Sequence, residues 1–234
     1  MVSAVLFDLD GTILNCVEPM SMEFIKIVKK LGADITDEVR KRVGDNLGEI
    51  LIRKSSPIAE ISLLWRLGRT IGLPFFKRIV LIFLSYSRLK EIANNSSLFD
   101  GVIEMLQVLK QRGIKLAVVT TRSKKDVSMI MKKFSLEKLF DAVVTRDDVR
   151  FGKPSPEPVI LALKRLNVNA IDAVVVGDMP TDIESGKRAG TKTIALMTGL
   201  FNESLLEAVP DIAVNSILEI PKVLNQFEEI IENQ

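Results

Sequence analysis

The chain has no histidine in 234 residues. That gap removes every mechanism that turns on an imidazole: Ser-His-Asp hydrolysis, His-paired cysteine chemistry and His-ligated zinc. Cysteine is nearly as scarce. The single Cys16 excludes an intrachain disulfide or a thiolate cluster and fits a reducing compartment. It reads as a small apolar group, not a reactive thiol. Neither sign of charge is in excess, since 32 Lys and Arg face 30 Asp and Glu and leave a net +2. No apolar run approaches the roughly 20 residues of a membrane span; the oiliest stretch, Ile79 to Ser87, is bounded by Arg78 and Arg88. The N-terminal apolar run is broken at once by Asp8 and Asp10, unlike a signal peptide, so the expected location is the cytoplasm. Any chemistry falls to carboxylates, hydroxyls, lysines or a bound cofactor.

A hydrophobic fraction of 47% is enough for a large core. Ser3 to Phe7 is too short for a helix and reads as a fully buried strand, with turn chemistry in Asp-Leu-Asp-Gly-Thr behind it. Ile114 to Val119, Ala142 to Thr145, Ala173 to Val176 and Thr193 to Leu196 predict further strands. Helical segments separate them. One starts at Asp100 as N-cap and closes at Gly113, one starts at the capping-box-like Ser123-Lys-Lys-Asp126, one opens at Ser155-Pro156, and one ends at Gly190. From Asp100 onward strands and helices alternate, which predicts an α/β fold: a Rossmann-like, doubly wound parallel sheet with helices on both faces. Residues 15–95 break that rhythm. Their apolar periodicity (Phe24, Ile25, Val28, Leu31) predicts helices throughout, so the domain organisation is a core of 1–14 with 96–234 and an inserted α-helical domain of 15–95. Residues 50–95 carry eight basic against two acidic side chains, a charge concentration that the rest of the chain offsets.

Four groups stand at or just beyond the C-terminal ends of predicted strands, where open α/β sheets bind ligands. They are Asp8-Leu-Asp10-Gly11-Thr12, Thr120, Lys153 in Gly-Lys-Pro-Ser-Pro, and Asp178 with Asp182 in Gly-Asp-Met-Pro-Thr-Asp. Four carboxylates crowded at one edge repel unless a cation sits among them. Oxygen ligands without His or Cys point to Mg²⁺. A carboxylate in such a site can attack phosphorus while lysine and amide groups hold the transferring oxygens. Each piece also has a plainer reading. Asp10-Gly11 is a common turn pair, Asp182 in a first helical turn stabilises the helix dipole, and Lys153 could be an exposed loop lysine.

These motifs, in this order, resemble the haloacid dehalogenase-like superfamily of phosphohydrolases. The resemblance spans residues 1–14 and about 97–220, with the inserted helices in the place of that superfamily's first-type cap domain. It implies Asp8 as nucleophile, forming an aspartyl-phosphate, and Asp10 as the acid that protonates the leaving group and the base that activates water. It implies that Thr120, with Thr121, Gly11 and nearby amides, binds the phosphoryl oxygens, and that Lys153 offsets charge between nucleophile and phosphate. Mg²⁺ would be held by Asp8, the Asp10 main-chain carbonyl and Asp178, with Asp182 as ligand or supporting group. The dehalogenases of the superfamily lack the second aspartate, so Asp10 favours phosphoryl transfer.

The expected activity is hydrolysis of a small-molecule phosphate monoester, similar to that of phosphoglycolate phosphatases. Two departures bear on the substrate: Asn15-Cys16 stands where many such members have Asp-Ser, and Thr121-Arg122 comes after Thr120 where Asn is common. Arg122 either reaches a second anionic group of the substrate or is solvated at a helix start, with solvation favoured. A phosphomutase of the β-phosphoglucomutase type keeps the same carboxylates, and a non-enzymatic protein- or membrane-surface role for the basic, oily insertion is a third reading. The stretch from Ile61 to Ser87 is assigned first to core packing of the insertion, ahead of a substrate pocket, a dimer surface or a membrane-surface patch. Nothing resembles a nucleic-acid-binding module, and the chain is expected as monomer or homodimer.

Overall fold

Ala4, Val5, Leu6 and Phe7 are all fully buried, as an unbroken apolar run in a sheet covered on both faces must be. They form β1, the centre of the principal sheet. In the computed structural model, which describes residues 2–36, 57–198 and 202–232, the other strands are β2 (Lys115–Val119), β3 (Ala142–Val144), β4 (Ala173–Gly177), β5 (Lys192–Leu196) and β6 (Ile212–Val214). Their spatial order is β3-β2-β1-β4-β5-β6, and each neighbouring pair is parallel. The expected doubly wound α/β sheet is therefore present, flanked by helices. Successive residues of a strand face opposite ways. Ala4 and Leu6 accordingly join Ala117, Val119, Val144, Ala173 and Val175 in one core layer under the helix Glu157–Leu166.

The helix signals hold with two adjustments. Ser123 caps Lys124–Lys133 by accepting from the Asp126 amide at 3.2 Å, and Gly190 ends Pro180–Ala189 in the left-handed region at φ +82°. Asp100 is not the cap of the helix Val102–Gln111. That position belongs to Gly101 at φ +77°, with no side-chain cap bond. The helix expected to open at Ser155-Pro156 begins at Glu157, with Pro156 as its N-cap residue, one position later than that signal suggested.

The chain divides into two compact units, Met1–Leu14 with Leu98–Gln234, and Asn15–Ser97. The second contains the helices Val17–Lys30, Pro57–Thr70 and Phe75–Asn95; the part of the expected helical run at residues 37–56 lies outside the described residues. Ile27, Val28, Ile71, Leu73 and Leu81 form its buried core, with Phe24 and Leu31 packed against it. Core packing accounts for only part of the oily stretch. Leu64, Leu67 and Leu81 are buried, but Phe76 is 79% and Phe83 80% exposed, and Ile79 and Leu84 are exposed too. The helix Phe75–Asn95 is apolar around much of its circumference, and only one face can pack on its neighbours. Cys16, at the start of Val17–Lys30, is buried. Among the described residues no helix is long and apolar enough to cross a membrane.

Candidate active site

The sheet order reverses direction at β1, which pairs with β2 on one side and β4 on the other. Open α/β sheets bind ligands beyond the carboxyl ends of the strands at such a switch point, and the chain leaves each strand there with a polar residue. Asp8 comes directly after Phe7, Thr120 after Val119, and Asp178 after Gly177. Lys153 enters from the loop after β3 and Asp182 from the first turn of Pro180–Ala189.

Lys153 is 6% exposed, far from an ordinary loop lysine. Its Nζ donates to Asp8 Oδ1 and to Asp182 Oδ1, each at 2.5 Å. Carboxylate oxygens of Asp8, Asp178 and Asp182, all buried, lie within 4.8 Å of one another. Three carboxylates around one ammonium leave surplus negative charge in a desolvated place. Burial, only partly countered by Lys153 and reinforced by Asp182 and Asp10, pushes Asp8 from 3.8 up to about 7. Burial, with the charges of Asp8 and Asp182, holds Asp178 well above the usual carboxylate range. For Lys153, burial favours the neutral amine, but the attraction of Asp182 and Asp8 wins and raises it above its ordinary value.

This imbalance suits a small divalent cation, which prefers a few carboxylate oxygens and retains waters. Asp8, Asp178 and Asp182 together could hold one. Both Asp182 oxygens have donors already: Oδ1 takes Lys153, and Oδ2 accepts from the Met179 amide at 3.1 Å. Asp182 thus closes the first turn of its own helix and steers Lys153. Thr12 Oγ1 lies 3.4 Å from Asp178 Oδ1, and Thr198 donates to the Gly11 carbonyl at 2.7 Å, pinning the turn after β1. Thr12 closes the Asp-Leu-Asp-Gly-Thr motif, whereas Thr198 belongs to no motif. Thr198 lies just beyond β5, and its only signal is that position behind a strand.

Gly11 is required on two counts. Its φ of +78° lies in the left-handed region, and a Cβ there would stand 2.1 Å from Asp178 Oδ2. Gly11→Ala is expected to cost about 1–3 kcal/mol, from the backbone conformation and the clash. Displacing Asp178 should lower turnover by roughly 10²-fold. Urea unfolding and initial rates on the same preparation check both effects.

The remaining expected residues separate. Thr120 is buried, and its Oγ1 accepts from the Arg122 amide at 3.2 Å. Thr121 is exposed. Asp10 is not brought into the three-carboxylate cluster. Instead both its oxygens accept from Arg122, Oδ2 from Nε at 2.7 Å and Oδ1 from the second guanidinium nitrogen at 2.6 Å. The preference for a solvated Arg122 is corrected here, since only 10% of its side chain is exposed. A guanidinium fork matches a carboxylate two bonds at a time, and the parallel pairing of β1 with β2 delivers the two residues to the same place.

The family model for haloacid dehalogenase-like hydrolases matches residues 5–196. The chain belongs to this family. Along nearly its whole length, 97% of this chain and 98% of the other, it is 31% identical to Pyrophosphatase PpaX of Bacillus cereus (strain Q1). Among solved structures, a predicted phosphoglycolate phosphatase from Haemophilus somnus 129PT shares the fold with a TM-score of 0.70 at 23% identity, covering 95% of this chain and 98% of that one. A subfamily IA hydrolase of the same superfamily from Geobacter sulfurreducens PCA does so with a TM-score of 0.64 at 23% identity, covering 95% and 96%. The chain is thus a hydrolase of the haloacid dehalogenase-like family, with the family's α/β fold.

Proposed function

We propose that the chain is a Mg²⁺-dependent phosphohydrolase acting on a small phosphate compound through an aspartyl-phosphate, with the inserted helical unit as its cap domain. The observation that carries this reading is the buried Lys153 bridge between Asp8 and Asp182 beside Asp178. A structural ion pair needs one carboxylate per ammonium, and three carboxylates are costly unless function retains them. Asp8 attacks the phosphorus, with its carboxylate held in one orientation by Lys153 Nζ. Asp10, two residues on, serves the leaving group and then the water. Thr120, Thr121 and the amides around Gly11 receive the phosphoryl oxygens. Asp8, the Asp10 carbonyl and Asp178 would hold Mg²⁺, which when bound supplies the positive charge that the carboxylates and the phosphoryl group share. A phosphate monoester in the cytoplasm is the substrate class the motifs favour. The relative named a pyrophosphatase makes inorganic pyrophosphate the second compound to test. Continuous release of phosphate over many turnovers from either compound, abolished by EDTA, is expected. No release from either with Mg²⁺ present would favour the non-enzymatic reading, and retention of the phosphoryl group on an isomerised product would favour a mutase.

The metal assignment has a separate test in stability. A carboxyl raised in the folded chain destabilises it progressively as pH rises from the unfolded value, 3.8, through the folded value, about 7 for Asp8. A cation removes that penalty. Mg²⁺ should therefore raise the melting temperature more at pH 8 than at pH 5. A shift of equal size at both, or none, would count against Asp8 and Asp178 as ligands.

A further inference from the structure

We propose that Arg122 forms a second anion subsite, which selects phosphate compounds whose leaving group is itself anionic: diphosphates in preference to esters of uncharged alcohols. The inference rests on the roles proposed for Asp8 and Asp10 and extends them to the leaving-group side. The guanidinium is largely withdrawn from solvent and spans both oxygens of Asp10 at 2.6 and 2.7 Å. Its backbone is fixed at both ends, since its N–H donates to Thr120 Oγ1 at 3.2 Å and its carbonyl accepts from the Arg146 amide at 3.1 Å. Arg122 is thereby tied to Thr120, one of the residues proposed to receive the phosphoryl oxygens, and its guanidinium to Asp10.

A carboxylate that accepts from one guanidinium through both oxygens has that edge filled. In its acid role Asp10 carries a proton on one oxygen, which then donates to the leaving-group oxygen and accepts less well from the guanidinium, so at least one of the two bonds is loosened. With an uncharged alcohol as leaving group the guanidinium receives nothing in exchange, and a mostly buried cation loses a partner. With a second phosphoryl group, the same planar fork moves from carboxylate to phosphate oxygens, a geometry it matches equally well. Arg122 also offsets the repulsion between Asp10 and an arriving anion. The chemical step balances without a further reactant. An Asp8 oxygen forms the new P–O bond, the bridging P–O bond breaks, and its electron pair leaves on the second phosphate. Water then releases the first phosphate from Asp8.

The test uses the full chain with Mg²⁺, and Arg122→Gln and Arg122→Lys as variants. Inorganic pyrophosphate and p-nitrophenyl phosphate serve as the probes. For Arg122→Gln, the fall in kcat/KM for pyrophosphate should exceed the fall for p-nitrophenyl phosphate by about tenfold or more, chiefly through KM. Arg122→Lys, which keeps the charge and loses the fork, should fall between. The same discrimination should appear in binding. In an Asp8→Asn background, calorimetric titration should show Arg122→Gln weakening pyrophosphate by about tenfold more than p-nitrophenyl phosphate. Equal losses on both compounds would overturn the proposal and leave Arg122 as a residue that only positions Asp10. Wild-type protein that binds pyrophosphate with this Arg122 dependence but releases no phosphate would instead defeat the hydrolase reading and preserve the subsite.

Discussion

Asp8→Asn is expected to lower kcat by at least roughly 10⁴-fold on whichever phosphate compound the native protein turns over, a scale typical of removing a nucleophile. The amide has the same shape, so the change isolates chemistry from packing. It cannot form the acyl-phosphate, because a neutral carboxamide oxygen is a poor nucleophile toward phosphorus. Lys153 keeps its 2.5 Å bond to Asp182 Oδ1, so the buried ammonium is not orphaned. Stability should move in the opposite sense from activity. Asp8 is raised to about 7 by burial and by the neighbouring carboxylates, so its ionised form opposes folding above that pH. In the absence of metal the variant should melt no lower than the native chain at pH 8. Turnover within tenfold of native would remove Asp8 from the nucleophile's role. Lost turnover with a large drop in melting temperature would mean that the site had collapsed.

Most of the site was legible because of how a parallel sheet is built. Each strand is a short apolar run, and a polar residue directly behind such a run has to sit at one edge of the sheet. Asp8, Thr120 and Asp178 obey that rule without any knowledge of strand order. Arg122 does not. Thr-Thr-Arg-Ser looks like a solvated helix start, and the partner that buries the guanidinium is 112 positions away in the chain. The signal exists only once β1 and β2 are known to be neighbours. With Phe7 opposite Val118, Asp10 and Arg122 stand at nearly equal offsets beyond the pair. Asp182 was ambiguous for another reason: an Asp in a first helical turn caps the helix and can also serve a site. Here it caps through the Met179 amide and holds Lys153. The insertion was the least legible part. Hydrophobic periodicity predicts its helices, but Phe75–Asn95 is apolar around much of its circumference and so marks no single face for burial, and Phe76 and Phe83 lie on its exposed side. The strand β6, three residues long, is too short to carry a pattern. At the start of Val102–Gln111 the chain turns through a left-handed Gly101, and the acidic side chain before it is not needed as a cap.

Lys153→Met should cost about 3–5 kcal/mol of stability near pH 8 without metal. The methionine fills similar volume, so the loss reports charge. Asp8, Asp178 and Asp182 are 8%, 1% and 2% exposed, and without the ammonium they face one another across less than 4.8 Å. The pH dependence separates this cause from poor packing. Lys153 is raised above its ordinary 10.5, so its contribution is fully present below that value and disappears only as pH climbs through the higher, folded-state value. The carboxylates change sooner. Lys153 normally pulls Asp8 downward, against burial. In the variant that restraint is gone, and Asp8 and Asp178 take up protons more readily as pH falls. Acidification to pH 5 should therefore recover more stability in Lys153→Met than in the native chain, narrowing the gap in melting temperature. Mg²⁺ at pH 8 should recover part of the stability by the same logic, since it supplies the missing positive charge. It should not restore turnover, because a cation does not replace the 2.5 Å bond that orients Asp8 Oδ1. A gap that stays constant from pH 5 to pH 8 would assign the loss to packing and would contradict the charge imbalance from which the metal site was inferred.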